Sequence, residues 1–314
     1  MKRTILWGLM GALLAAGSVS ADRVVRIGTW KTAQTLQPYF YQPYLGEQIR
    51  CDVRAFTNPA DQKTALLAGS LEMCATTLAH AIHSAAQGQP VVVVAAVCNK
   101  CSALVVRRDR SVERIADLKG LRIGYVPGTM HEVLLREALT RSNLSPEKDV
   151  RLTRVDFFDT GLALARGGID AFLSGEPFPS IAVHEGYGRI LAYPYFEDAV
   201  GAINAAMLVT RERIEREPEM VYRLVKAHAQ SSEHLIHHPQ QWLAKAAEFG
   251  TPAAVLQRAA ANMELAWMMD AAYVAHARAL GARMQALKMI DRQPDYDRLF
   301  DLRFVAQALR ELDR

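Results

Sequence analysis

Beyond its first 21 residues, the sequence has no apolar run long enough to cross a membrane, which takes about 20 residues. Its four cysteines are too few for a disulfide scaffold. No large excess of one charge exists, since 37 Lys and Arg face 33 Asp and Glu, and this argues against nucleic-acid binding. Gly-x-Ser-x-Gly, His-Glu-x-x-His and Walker A sequences are also missing, so no catalytic residue is indicated. Half of the residues are hydrophobic, which excludes a disordered or fibrous chain.

The N-terminal segment has the three parts of a secretory signal peptide. Lys2 and Arg3 form a basic start, Ile5–Ala16 is an apolar run too short to span a bilayer, and Ser18–Ala21 supplies small residues. A buried N-terminal helix is the alternative, but the basic start and the small-residue exit both favour export. We predict cleavage after Ala21 and localisation in the periplasm.

Short apolar strands alternate with helices in two successive series, and Glu217 begins a region that is helical throughout. Val91–Val97 is uninterrupted and apolar, which is typical of a strand covered on both faces of a parallel sheet. Breaks in the helical region are expected near Pro239, Gly250 and Gly281. The pattern predicts an α/β protein of two lobes, each a mainly parallel sheet flanked by helices, followed by a helical C-terminal tail.

Several short segments, taken in order, resemble those of one known family. They are Leu67–Glu72, Gln87–Val91, Ala103–Arg107, Ile115–Gly124, Pro127–Thr129, Ala165–Ala171 and Glu176–Pro177. Together they resemble the nitrate/sulfonate/taurine and thiamine-precursor (SsuA/THI5/NMT1-like) periplasmic solute-binding proteins of ABC importers. The resemblance covers nearly all of the chain after the signal peptide.

This resemblance implies a type II-like periplasmic binding protein fold with a ligand between its lobes, and no enzymatic activity or cofactor. It implies a first lobe of residues 22–106 and 208–314 and a second lobe of residues 107–207. The hinge would consist of two crossing segments, Ala103–Asp109 and Ile203–Thr210. The implied partners are a small ligand and the transmembrane subunits of an ABC permease, and the implied state is a monomer.

The candidate ligand-binding residues follow predicted strands or begin predicted helices, where open α/β sheets bind ligands. They are Trp30, Cys74, Thr76, Thr77, Cys98, Cys101, Ser102, Gly128, Thr129, Met130, His131 and Glu176. Thr129, with the N–H groups that follow it, predicts an anion cradle or a plain helix cap, and one residue can serve as both. Trp30 predicts either a surface that stacks on a ligand or a buried packing residue.

Three cysteines occur at predicted strand ends, where family members usually carry small or polar residues. Cys74, Cys98 and Cys101, facing Met130 and His131, would form a soft site for Cu(I), Zn(II), Hg(II) or an organometal. A Cys98–Cys101 disulfide is the alternative in an oxidising compartment. Cys51 is interpreted as a small buried residue, and its pairing with Cys74 is left open.

Three functions fit these observations. The first is a periplasmic binding protein that delivers a small organic anion, or a thiophilic metal, to an ABC permease. The second is a pyrimidine-synthase-like enzyme on the same fold, against which the export signal and the lack of a dense cysteine run argue. The third is an exported thiol redox protein, which requires a reactive Cys98 with a low pKa.

Overall fold

The computed structural model describes residues 23–57, 59–195 and 200–312. The predicted signal peptide (1–21) and its cleavage after Ala21 lie outside these residues. Within the three described ranges, no helix combines the length and the apolarity that a membrane span requires.

The strands form two separate sheets. In chain order they are β1 (Arg23–Trp30), β2 (Ile49–Phe56), β3 (Met73–Thr77), β4 (Val91–Lys100), β5 (Ser102–Arg107), β6 (Arg122–Tyr125), β7 (Arg151–Arg154), β8 (Ala171–Gly175), β9 (Gly188–Ala192), β10 (Ile203–Thr210) and β11 (Met263–Leu265). The first sheet has the order β11-β4-β10-β3-β1-β2, and the second has the order β7-β6-β8-β5-β9. Val91–Cys98 is buried throughout, as its uninterrupted apolar run predicts.

Both sheets contain antiparallel pairs, but four strands of each run in the same direction, in agreement with the prediction of mainly parallel sheets. β1 is parallel to β2 and β3, and β6 is parallel to β7 and β8. β10 is antiparallel to β3 and β4, and β5 is antiparallel to β8 and β9. These four antiparallel pairs arise because β5 and β10 each enter their sheet from the other lobe, and β11 adds a further antiparallel pair with β4.

The chain changes sheet at Cys101 and again between Ala192 and Ile203. Lys100 and Cys101 turn the chain with left-handed φ values of 58° and 76°. A division by sheet therefore gives a first lobe of residues 23–100 and 203–312 and a second lobe of residues 102–192. The predicted lobe breaks, after 106 and after 207, fall within β5 and β10, each of which pairs with the strands of one lobe. The predicted hinge segment Ala103–Asp109 overlaps β5 and extends two residues beyond it, and Ile203–Thr210 coincides with β10.

Helices cover both sheets. They are α1 (Gln42–Leu45), α2 (Pro59–Leu67), α3 (Leu78–Ala86), α4 (Met130–Arg141), α5 (Thr160–Ala165), α6 (Phe178–His184), α7 (Arg211–Arg216), α8 (Pro218–His237), α9 (Pro239–Ala247), α10 (Ala253–Ala260), α11 (Ala271–Ala286), α12 (Tyr296–Leu299) and α13 (Arg303–Leu312). α2 and α3 pack on the first sheet, and α4, α5 and α6 pack on the second. The predicted breaks at Pro239 and Gly250 are confirmed, whereas Gly281 lies inside α11, where the Tyr296 ring leaves no room for a Cβ.

Candidate functional site

Aromatic side chains from both lobes meet where strands of the two sheets end. Trp30, the last residue of β1, has its ring centroid 6.1 Å from that of Phe157, which follows β7. Phe157 also stacks on His131 of α4, with a centroid distance of 5.7 Å. Trp30 and Phe157 are 4% and 5% exposed, so the lobes are closed on each other at this point. The carboxyl ends of strands are where open α/β sheets bind ligands.

Four side chains at or near the carboxyl ends of β1, β3 and β8 have buried polar atoms with no hydrogen-bond partner among the described residues. The atoms are Nε1 of Trp30, Nε2 and Oε1 of Gln34, Oγ1 of Thr76 and Oγ of Ser174. Gly28 of β1 lies opposite Cys74 of β3, so Trp30 and Thr76, two residues further along, lie side by side. Buried polar groups in proteins are normally paired, so these atoms are available to bind a ligand.

Ser102, the first residue of β5, orients His131. Ser102 Oγ lies 2.9 Å from Nδ1 of His131. Burial lowers the pKa of His131 to about 4, so its ring is neutral at pH 7. A Cβ added to Gly175 would lie 2.9 Å from this ring and 3.3 Å from Nε2 of Gln34. Glycine at this position therefore lets the two side chains approach β8.

Two predicted threonines act as helix caps. Thr129 Oγ1 accepts a hydrogen bond from the backbone N–H of Glu132 at 3.4 Å and donates one to Val126 O at 2.7 Å. Thr77 Oγ1 accepts from the backbone N–H of His80 at 3.3 Å. These bonds make Thr129 a helix cap, which is compatible with an anion cradle formed by the N–H groups that follow it. Met130 is buried in the apolar core and contributes to packing.

Gly128 forms a contact between the lobes. Its φ is +72°, and a Cβ there would lie 2.7 Å from Nε2 of His80, a residue of α3 in the first lobe. The same His80 nitrogen lies 3.4 Å from Pro127 O. Burial lowers the pKa of His80 to about 4, although the bond to Pro127 acts in the opposite direction. The closed arrangement thus places a neutral imidazole against a position that only glycine fits.

Glu176 also joins the lobes. It is 1% exposed and accepts hydrogen bonds from Nδ2 of Asn262 and from the backbone N–H of Ser180, at 3.3 and 3.2 Å. Asn262, near β11 in the first lobe, also donates to Ser102 O at 3.3 Å and accepts from the Tyr195 hydroxyl at 2.7 Å. Burial raises the pKa of Glu176 to about 7, although both of its hydrogen bonds lower it.

Of the three cysteines predicted to hold a soft metal, Cys74 lies apart from the other two. On β10, Cys74 lies opposite Leu208 and Cys98 opposite Ala205, so the two are separated by three residues, about 10 Å, and flank the strand on opposite sides. Within the described part of the chain, no three His, Cys, Asp or Glu side chains are placed to hold a metal ion. A site of all three cysteines is therefore not present among the described residues, because strand register separates Cys74 from Cys98, which lies beside Cys101.

All four cysteines are free thiols. A hydrogen bond with the Cys98 thiol, together with burial, holds the pKa of Cys101 well above its usual value. Burial raises the pKa of Cys51 and of Cys74 to about 12. Cys51 is half-buried rather than buried, and β1 lies between it and Cys74, so these two do not pair. The alternative disulfide, Cys98–Cys101, is not formed in this structure, although the two thiols are neighbours.

Sequence reasoning missed Gln34, Phe157 and Asn262. It searched the residues directly after strands, whereas Gln34 lies four residues beyond β1 and Asn262 comes from the C-terminal region. The pair Phe157-Phe158 near the end of a predicted strand was a signal for an aromatic surface. Nothing in the sequence pattern indicates Asn262.

A family model described as NMT1/THI5 like matches residues 44–242. A 4-amino-5-hydroxymethyl-2-methylpyrimidine phosphate synthase of Schizosaccharomyces pombe is 25% identical over 133 residues, 41% of this chain and 38% of that protein. A putative aliphatic sulfonates-binding protein of Escherichia coli is 29% identical over 129 residues, 40% of each protein. In these two matches the chain spans about two fifths of the relative's length. A putative binding protein of Brucella abortus is 27% identical over 260 residues, 79% of each protein.

Solved structures share the fold. The alkanesulfonate-binding protein SsuA of Xanthomonas axonopodis pv. citri, bound to MOPS, is 20% identical with a TM-score of 0.79, over 89% of this chain and 98% of that one. The periplasmic nitrate-binding protein NrtA of Synechocystis PCC 6803 is 13% identical with a TM-score of 0.79, over 92% and 89%. These similarities confirm the predicted periplasmic binding protein fold. Because the family model matches more than half of the sequence, the chain belongs to the NMT1/THI5-like family.

Proposed function

We propose that this protein is the exported, periplasmic binding component of an ABC importer. The two lobes close around a small organic oxyanion, and the closed monomer delivers it to the transmembrane subunits of the permease. The E. coli relative is named for aliphatic sulfonates and the Xanthomonas structure holds MOPS, which supports sulfonates as the first ligands to test.

The observation that carries this proposal is the set of unpaired donors at the closed contact between the lobes. The indole N–H of Trp30 and the hydroxyls of Thr76 and Ser174 can each donate a hydrogen bond to a ligand oxygen. His131 adds a neutral ring. Hydrogen bonds from neutral groups are stronger in such a buried site than in water, so an oxyanion can be bound without a lysine or arginine.

The metal and redox alternatives lack a comparable observation. Cys74 lies apart from the neighbouring thiols of Cys98 and Cys101. A thiol redox protein needs an accessible thiolate. Cys98 and Cys101 are each 1% exposed, and the pKa of Cys101 is raised by its bond to Cys98 and by burial.

The test is calorimetric titration of the protein with methanesulfonate and benzenesulfonate. We expect Trp30→Phe to lower the affinity for the bound sulfonate at least about tenfold, because an aromatic ring remains but the indole N–H, a donor to a buried oxygen, is lost. The matched control is Trp267→Phe, since Nε1 of Trp267 bonds Glu233 within the first lobe at 2.6 Å. This variant should lose stability and keep its affinity. Failure of the wild-type protein to bind either sulfonate would contradict the proposal.

A further inference from the structure

Gln34 is a buried side chain of the first lobe whose amide is unpaired. It is 1% exposed, and neither its nitrogen nor its oxygen has a partner among the described residues. Both atoms are unpaired, so the observation does not depend on which way the amide is turned. Its nitrogen lies 3.3 Å from an added Cβ on Gly175, which places the amide at the contact with the second lobe.

A simple oxyanion can form hydrogen bonds with the N–H groups of this amide but leaves its carbonyl oxygen unpaired. Sulfonate and carboxylate oxygens accept hydrogen bonds, so they can pair with the N–H groups of Gln34 but not with its carbonyl oxygen. A buried acceptor that stays unpaired weakens binding. The aromatic rings of Trp30, Phe157 and His131 are close by and favour a flat ligand group.

We infer that the ligand carries, besides its acidic head, a planar group with a hydrogen-bond donor next to an acceptor, such as a carboxamide, and that Gln34 pairs with this group. The inference rests on the proposed function, because it concerns the ligand of the same site. Two parallel hydrogen bonds join the amides, one in each direction. A carboxylate at this place would set an oxygen against the Gln34 oxygen, so Gln34 determines specificity between amide and acid.

Matched pairs of probes test this inference. Sulfoacetamide is compared with sulfoacetate, and 3-sulfobenzamide with 3-sulfobenzoate, because the members of each pair differ only in carrying a carboxamide or a carboxylate. Calorimetry should show at least about tenfold tighter binding of the amide in one pair, because a site built to pair polar groups rejects the analogue that leaves them unpaired.

Substitutions at Gln34 separate recognition from folding. Gln34→Met should abolish the preference for the amide, whereas Gln34→Glu, which can only accept, should keep that preference and weaken binding of methanesulfonate. Gln62→Met is the control, since Gln62 is buried and its nitrogen bonds Ala75 O inside the first lobe. Equal binding within both pairs, or an unchanged preference in Gln34→Met, would overturn the inference while sulfonate binding itself stands. Absence of binding by every sulfonate would overturn the proposed function as well.

Discussion

Glu176 shows how burial at the contact between the lobes changes one carboxyl group. Its neighbours are mainly uncharged: the amide of Asn262, the backbone of Ser180, the Tyr195 hydroxyl and the Cys101 thiol. The pKa of Tyr195 is raised mainly by burial, and the pKa of Cys101 is raised mainly by its hydrogen bond with Cys98. Arg258 acts on the carboxyl only as a weak opposing charge. Burial prevails and raises the pKa of Glu176 to about 7. The group therefore changes its charge near neutral pH.

We predict that Glu176 makes the protein less stable as pH rises from about 4 to 7. An unfolded glutamate has a pKa of about 4.3, so the folded state holds more protons in this window and the free energy of unfolding falls with rising pH. Urea unfolding at pH 5 and pH 7.5 should show a loss about 2–4 kcal/mol larger in the wild type than in Glu176→Gln.

Comparing the wild type with Glu176→Gln removes the contribution of the buried histidines to the pH dependence of stability. Burial lowers the pKa values of His80, His131 and His228 to about 4, so these groups act in the opposite direction and add stability as pH rises. They are present in both proteins. Parallel pH profiles for wild type and Glu176→Gln would show that the Glu176 carboxyl is not shifted.

At the scale of elements, the turn between β6 and α4 limits how closely the lobes approach. We predict that Gly128→Ala lowers affinity for benzenesulfonate at least about tenfold, because the new Cβ would meet the His80 ring at 2.7 Å when the lobes close. The substitution also adds about 1–2 kcal/mol of backbone strain at a φ of +72°. Calorimetry and urea unfolding measure the two effects separately.

Gly120→Ala is the matched control for this turn. Gly120 has a φ of +79°, and nothing lies within 4 Å of an added Cβ. The two variants should therefore lose similar stability, but only Gly128→Ala should lose affinity. Equal affinity in both variants would mean that the contact between His80 and Gly128 does not limit closure.

Elements were easier to predict than their partners. The alternation of strands and helices, the buried strand β4 and the breaks at Pro239 and Gly250 follow from local patterns of apolar, proline and glycine residues. The separation of Cys74 from Cys98 could not be predicted, because it depends on strand register, which is set by pairing across the sheet. The position at which the chain changes sheet was harder to predict, because only Cys101 separates β4 from β5 and the two strands differ in their pairing partners rather than in their local sequence pattern.

At the scale of the whole molecule, the two lobes share one apolar core. It includes Val97 of β4, Ile82 of α3, Leu104 of β5 and Val133 of α4, which come from both lobes. An ion pair of 2.5 Å between Glu137 of α4 and Arg283 of α11 also crosses between them. The shared core and this ion pair therefore stabilise the closed arrangement of the lobes.

The Asn262 side chain bonds residues near both places where the chain crosses between the lobes, so replacing it should affect the whole molecule. We predict that Asn262→Ala lowers stability by about 1–3 kcal/mol, since Ser102 O, Glu176 and the Tyr195 hydroxyl each lose a buried partner. It should also weaken benzenesulfonate binding at least about fivefold, because the lobes lose a contact that fixes their closed orientation. Small-angle X-ray scattering should show a less compact ligand-bound state.

Asn99→Ala is the control, since the side chain of Asn99 donates a hydrogen bond to Glu264 at the exposed edge of the first lobe. This variant should change stability by no more than about 0.5 kcal/mol. Lost stability with unchanged affinity and scattering would restrict Asn262 to a role in folding.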